Sequence, residues 1–280
     1  ALAQSQKSRT CELRATVEGI GFWCMGLPDW SAARAFVREG TLAEGASARP
    51  SPQILAPNER RRAPETVAVA LEVALAACQA AGREPRDLPS VFASTHGDLG
   101  ITDYMCSTLV GDPRSISPTR FHNSVHNAAA GYWTIGAGCT QATTAISAYD
   151  ATFAEGLLEA LVQLHAGQAA MLLVGYDGAA TGPLQPISSS EGLLGAALVL
   201  SREAKAGAPR ITLDVVEGAA PTQAGALSRL AGGNASAPML PLFEALARGM
   251  GEVQLIAGEG RQLRVRIDAS ASAPAYIGAT

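Results

Sequence analysis

Histidine is scarce in this chain and stops early. The 4 histidines among 280 residues are His96, His122, His126 and His165, so no imidazole is available after residue 165 as a base or a metal ligand. Charge is thin as well: 16% of residues are charged and the net charge is −4. A nucleic-acid binder would show a basic face, so that class is set aside. The one basic cluster, Arg60-Arg61-Arg62, follows Asn58-Glu59 and precedes a helix. It reads either as a solvated helix start or as a docking point for an acidic partner. Aromatics are only 5% of residues, while glycine and alanine abound. That balance argues against an aromatic-rich β-barrel and for helices packed closely on a sheet. The five cysteines, Cys11, Cys24, Cys78, Cys106 and Cys139, are odd in number, scattered and without a C-x-x-C. This excludes a zinc ribbon or a disulfide framework and suits a reducing compartment. No run reaches the roughly 18 apolar residues of a membrane span. Ala1 to Thr10 is polar, with no apolar signal core. The expectation is a cytoplasmic protein. Gly97 and Gly100 make no phosphate loop, and no G-x-x-x-x-G-K-S/T occurs.

Apolar residues make up 48% of the chain, enough for a sizeable core in one large domain or two small ones. Leu13 to Trp23 reads as a strand. Trp30 to Arg38 has helical spacing, with Trp30, Ala33, Phe36 and Val37 on one face. Residues 39–57 are rich in Gly, Ala, Ser and Pro and read as a loop. Pro64 to Ala81 is a helix with Pro in its first turn and Gly82 at its end. Ser90 to Thr95 is a buried strand, with His96-Gly97-Asp98 as the turn after it. Ile101 to Val110 is helical, Ser117-Pro118 opens an irregular stretch, and Asn123 to Ile135 is helical.

Thr140 to Ser147 is predicted as a strand and Tyr149 to His165 as a helix with Phe153, Leu157, Leu161 and Leu164 on one stripe. Ala169 to Tyr176 and Leu193 to Leu200 are unbroken apolar strands, as in a sheet covered on both faces. Arg210 to Val216 alternates as a strand. The tail offers a helix over Leu240 to Arg248, then a hairpin over 252–256 and 263–267 with Gly258-Glu259-Gly260 as its turn. Residues 219–238 are the best candidate boundary. Strands alternating with helices predict a layered α/β fold.

Few residues in this pattern carry chemistry. His122 and His126 stand at i and i+4, which on one helix face allows a metal pair; a third ligand would have to be His96 or Asp98. The alternative is ordinary hydrogen bonding on the helix face, near an interface. Cys139 reads as a small buried or loop thiol. Ser147 reads as the cap of the helix that starts near Tyr149, or as a nucleophile for which the sequence names no base. Tyr149-Asp150 suits a helix start, favourable for capping and the dipole, or a contact lining a pocket at that turn.

Three segments in order resemble the N-terminal half of the β-ketoacyl synthases, which have the thiolase fold. The first is Ile116-Ser117-Pro118, followed by Asn127-Ala128-Ala129-Ala130-Gly131. The second is the loop, strand and helix over 136–156. The third runs from Glu191-Gly192 through Leu200 to the strand at Ile211. The wording of Phe121-His122-Asn123-Ser124-Val125-His126-Asn127 and of Ser147-Ala148-Tyr149-Asp150-Ala151 is similar to the short chain-length-factor-like homologues of aryl polyene pathways. The resemblance covers about residues 13–218.

It implies a thiolase-like layered α/β/α fold with one complete half, residues 11–218, and a reduced second half, residues 219–280, packed on the same domain. With Gly156 matched to the glycine of the synthase helix, Ala148 falls on the nucleophilic cysteine. Condensation needs that thiolate, and also two histidines from the second half. Neither is present here, since the last histidine is His165. The resemblance therefore implies a non-catalytic subunit, a chain length factor with no cofactor and no metal. Its partner would be a catalytic β-ketoacyl-ACP synthase in a heterodimer, with an acyl carrier protein reached through that complex. Thr140, Thr143, Thr144 and Ile146 would lie in the strand that pairs across the two-fold axis. Thr119, Arg120 and Phe121 would reach toward the partner's active site, and Tyr132 and Trp133 are candidates for a shared tunnel wall. The competing readings are an independent acyl hydrolase or decarboxylase using Ser147, and a structural homodimer.

Overall fold

The computed structural model describes residues 12–42, 44–222 and 224–268. Residue 11, Cys11, and the end of the tail from residue 269 lie outside the described residues. In chain order the elements begin with β1 (Leu13–Cys24), α1 (Trp30–Glu39), α2 (Pro57–Arg62), α3 (Glu65–Ala81), β2 (Ser90–Ala93) and α4 (Leu99–Gly111). Then come α5 (Pro118–His122), α6 (Ala128–Ala137), β3 (Thr143–Ile146), α7 (Thr152–His165), β4 (Ala170–Asp177) and β5 (Leu194–Ser201). The chain closes with β6 (Arg210–Glu217), α8 (Ala226–Ala231), α9 (Leu240–Arg248), β7 (Gly251–Ile256) and β8 (Arg261–Asp268).

Among the described residues, eight strands join one sheet in the order β3-β2-β4-β5-β1-β6-β8-β7. Only the β3-β2-β4 corner is parallel; every other pairing is antiparallel. Helices cover both faces of the centre. On one side α3 crosses β1, β5 and β4, with α6 beside it. On the other, α7 lies on β4, β2 and β1, and α1 packs with α9. β4 and β5 are buried along their whole lengths, which accounts for their unbroken apolar sequences. The approach of α3 to β1 is close enough that a Cβ on Gly21 would lie 2.0 Å from the Val73 carbonyl oxygen. Only glycine fits there.

The C-terminal elements share the core of the rest. Phe243 of α9 stands 6.0 Å from Phe22, 6.1 Å from Trp30 and 5.8 Å from Phe153, ring centre to ring centre. On that face Leu263, Val265 and Ile267 of β8 are buried. The opposite face of β6, β8 and β7 is polar: Arg264 bridges to Asp214 at 3.3 Å, and Arg266 pairs with Glu12. Alternation of this kind marks an antiparallel corner with one face in water.

Four expectations need correction. The strand expected from Thr140 begins at Thr143, because the αL cap at Gly138 and the hydrogen bond from the Cys139 N–H to the Thr134 carbonyl (2.8 Å) carry the helix end that far. Thr140 is thus outside the edge strand. The helix expected from Asn123 starts at Ala128, and the stretch opened by Ser117-Pro118 is itself the short helix α5. Its cap is the Ser117 hydroxyl, which accepts from the Arg120 N–H at 3.4 Å, with Pro118 at the first helical position. The break over 123–127 takes His122 and His126 off a common helix face. The helix expected from Tyr149 starts as a 3-10 turn, Tyr149–Ala151, before α7.

Candidate functional site at the ends of the parallel strands

Parallel strands β3, β2 and β4 point the same way, so the loops that follow them gather at one end of the sheet: residues 94–98, 147–151 and 178–192. The chain leaves β2 for β3 on one side and then returns to β4 on the other. In open α/β sheets such a switch point, at the carboxyl ends of the strands, is where ligands and reacting groups are placed.

The turn from β3 into α7 is sharp. Tyr149 has φ 56° and is the only described non-glycine residue with positive φ. Thr152 braces the turn: its hydroxyl accepts from the Ala148 N–H at 2.9 Å and donates to the Tyr149 carbonyl at 2.6 Å. The Thr95 hydroxyl donates to the same carbonyl at 3.4 Å. α7 can sit this tightly because residue 156 is glycine; a Cβ there would be 3.0 Å from the Ala93 Cβ.

No activated nucleophile stands on this turn. Ala148 has no reactive group. Ser147 does not cap the helix; its hydroxyl donates to the Thr95 carbonyl at 3.0 Å, and Thr152 fills the bracing role instead. Asp150 is exposed. The described cysteines lie elsewhere: Cys24, Cys78 and Cys139 are buried and Cys106 is exposed on α4. Burial pushes the Cys24 and Cys78 thiols up to about 12, which keeps them protonated at neutral pH. The imidazole next to the turn, His96, contacts the Ser188 hydroxyl through Nε2, while its Nδ1 is buried without a partner. A serine–histidine pair needs a third group to orient the ring and stabilise its charge. His96 lacks one.

The centre of the cluster is a residue that sequence reasoning missed. Asp177, fully buried at the end of β4, accepts hydrogen bonds from the Ser94 hydroxyl (2.7 Å), the Ser236 hydroxyl (2.7 Å), the Thr95 N–H (3.0 Å) and the His96 N–H (3.0 Å). No cation is among its partners. Four donors replace the lost water, as a buried carboxylate requires. Asp177 thereby fixes the 94–97 loop, which in turn holds the 147–152 turn. The available signal was an acid closing an otherwise apolar strand.

The remaining predicted residues fall into two places. Thr143, Thr144 and Ile146 lie in β3, which pairs only with β2 and leaves its other edge open. Thr119 and Tyr132 meet across a groove of about 350 Å³ between α2, α5 and α6, with His122, Arg62 and Ile135. Arg120 lies 4.2 Å over the Tyr104 ring, and Phe121 projects into solvent. Trp133 does not form a wall with Tyr132. It is 0% exposed and packs 6.4 Å from Phe92, because adjacent helix residues point about 100° apart. His126 donates from Nε2 to the Ser94 carbonyl oxygen at 2.7 Å; a carbonyl only accepts, so Nε2 carries the proton. Among the described residues no cluster of His, Cys, Asp or Glu could hold a metal, and no helix is long and apolar enough to cross a membrane.

The comparisons agree with this geometry. The sequence matches no functionally curated protein. Among solved structures, the chain is similar to one described as a ketosynthase (ApeO) in complex with its chain length factor (ApeC) from Xenorhabdus doucetiae. That match has 21% identity and a TM-score of 0.69 over 91% of this chain and 99% of the other. It is also similar to the ishigamide ketosynthase/chain length factor, with 14% identity and a TM-score of 0.67 over 92% and 100% of the two chains. A β-ketoacyl synthase from Burkholderia phymatum matches with 12% identity and a TM-score of 0.66, again over 92% and 100%. These likenesses establish the fold as that of the ketosynthases. The profile of the family described as "Beta-ketoacyl synthase, N-terminal domain" matches residues 30–257, and the chain belongs to that family.

Proposed function

We propose that this chain is a non-catalytic ketosynthase-like subunit, a chain length factor. In this reading it pairs with a catalytic β-ketoacyl-ACP synthase, meets the acyl carrier protein through that complex, and bounds the tunnel for a growing aryl polyene or related polyketide chain. The division at 218/219 into a synthase-like half and a reduced remnant belongs to the same reading.

The observation that carries it is the turn at 147–152. The bracing is complete, yet Ala148 offers no nucleophile and Ser147 spends its hydroxyl on a backbone carbonyl. The surface supports a partner beside β3. Large apolar side chains exposed in the segments that connect β2, β3 and β4 include Val110, Phe121, Val125, Ile135 and Tyr149, and Ile187 follows in the loop after β4. An open strand edge among such residues suits pairing with a second subunit. The hydrolase reading has no comparable support, because Ser147 has no base among its hydrogen-bond partners.

The test is to co-express the chain with candidate ketosynthases and measure co-purification, then assay acyl loading of each subunit by intact mass. The expected result is a one-to-one complex acylated only on the synthase. An acyl adduct on this chain, or a stable homodimer that ignores every synthase offered, overturns the proposal.

A further inference from the structure

The strand order contains a repeat. α7, β4 and β5 follow one another in the chain, and in the sheet β4 lies beside β5 and β5 beside β1. α9, β7 and β8 follow one another in the same way, and β7 lies beside β8 and β8 beside β6. All of these pairings are antiparallel. β7 therefore holds the place in the second set that β4 holds in the first. The two differ at the next position outward. β4 pairs in parallel with β2, whereas β7 has no further neighbour among the described residues.

The free edge of β7 is unguarded. Beyond the ladder to β8, no backbone group among the described residues hydrogen-bonds to residues 251–256. Such a row of unpaired N–H and C=O groups is a template for another strand, and native edges are protected from that by lysine, proline or a bulge. β7 contains neither lysine nor proline, and its register with β8 is unbroken.

A groove of about 370 Å³ adjoins the carboxyl end of this edge. Gln254 and Ile256 are its strand residues, and Pro221, Arg229, Pro238 and Pro241 are among those that complete it. Gln254 and Ile256 are alternate residues, so the groove follows about 7 Å of strand, room for the end of an extended chain. Among the described residues, Arg229 is the one charged side chain in the lining. Its Nη1 donates to the Ala224 carbonyl at 2.7 Å, which anchors the guanidinium and leaves further N–H donors for a carboxylate. A strand added in parallel to β7, as β2 is added to β4, runs toward Ile256 and brings its carboxyl end into this groove.

We propose that β7 accepts an extended peptide as a parallel strand, with the peptide's C-terminal carboxylate on Arg229 and an apolar last side chain in the groove. Main-chain hydrogen bonds supply the affinity, and the groove supplies the selectivity. The inference is independent of the pairing at β3, which lies at the other end of the strand order.

The test selects a random heptapeptide library, displayed with free C-termini, against the full chain. The recovered peptide is then made with a free and with an amidated C-terminus, and binding is read by fluorescence polarisation. The expected result is an apolar last residue and binding weakened at least about tenfold on amidation, the loss of one charge-assisted hydrogen bond. Arg229→Gln should bring a similar loss with an unchanged Tm, since Arg229 is exposed. Hydrogen exchange in the presence of the peptide should slow amides within residues 251–256. Failure to enrich any peptide, equal binding of the amidated form or of Arg229→Gln, or protection that leaves residues 251–256 unchanged overturns the inference.

Discussion

Asp177 accepts a 2.7 Å hydrogen bond from Ser236, a residue 59 positions further along the chain. Through the same carboxylate the 234–236 segment is joined to the loop after β2. Asn234 adds a bond from its side-chain amide to the Asp177 carbonyl at 3.0 Å. The C-terminal elements are thus tied by polar contacts, as well as by Phe243, to the end of the sheet that carries the candidate site.

Replacing Asp177 with Ala should be severe. Four donors would lose their acceptor inside the protein, at a cost of about 3 kcal/mol or more. Urea denaturation should show this loss, and hydrogen exchange should show deprotection concentrated in residues 94–97 and 147–152. A loss below about 1 kcal/mol would remove Asp177 from the centre of the site.

Arg83 should matter only above the carboxylate range. It makes two bonds to Glu18, 2.7 and 2.9 Å, and the guanidinium holds the Glu18 carboxyl below its ordinary value of 4.5 despite partial burial. A group with a lowered folded pKa stabilises fully above its unfolded value and loses that contribution as pH falls through the folded one. Arg83 is partly exposed, so solvent screening limits the contribution to about 1 kcal/mol. Arg83→Ala should therefore lower Tm at pH 7 by a few degrees, with the gap narrowing below pH ~4.5. An equal gap at pH 7 and pH 3 would show that packing, not the ion pair, is responsible.

Ile135→Glu should separate association from folding. Ile135 is 77% exposed on α6, so its replacement should change stability by about 0.5 kcal/mol at most. A charge placed on a buried interface should weaken association at least about tenfold. Unchanged co-purification with a synthase would place the contact elsewhere.

Alkylation should sort the described cysteines. At pH 8, iodoacetamide on the folded protein should label Cys106, which is exposed, and spare Cys24 and Cys78, whose thiols are buried and held near 12. Peptide mapping reads the result. Rapid labelling of Cys24 or Cys78 would mean that the core opens at that site.

Much of the scaffold was legible because it follows local rules. The unbroken apolar runs of β4 and β5 stated that both their faces are covered, and Gly82 marked the end of α3. The signal for α5 was equally local, since Ser117 followed by Pro118 is a cap and a first helical residue, but the expectation of an irregular stretch missed it. Trp133, a candidate for a shared tunnel wall, is turned by its helix into the core, a direction that a short segment does not reveal. The site resisted reading for a different reason. Asp177 meets Ser94, Thr95 and His96 across more than eighty residues, and no local pattern records such a meeting. The φ of Tyr149 is set by those same distant contacts, so the sequence showed a tyrosine but not its posture.

The two rims of the sheet differ in character. β3 ends one rim with Thr143, Thr144 and Ile146, exposed or half-buried, whereas β7 ends the other next to β8, whose Arg264 and Arg266 pair with Asp214 and Glu12. A sheet adhesive at both rims grows by addition into fibres. In the proposed pairing β3 is the joining rim, and a sheet joined through one rim alone closes at two subunits.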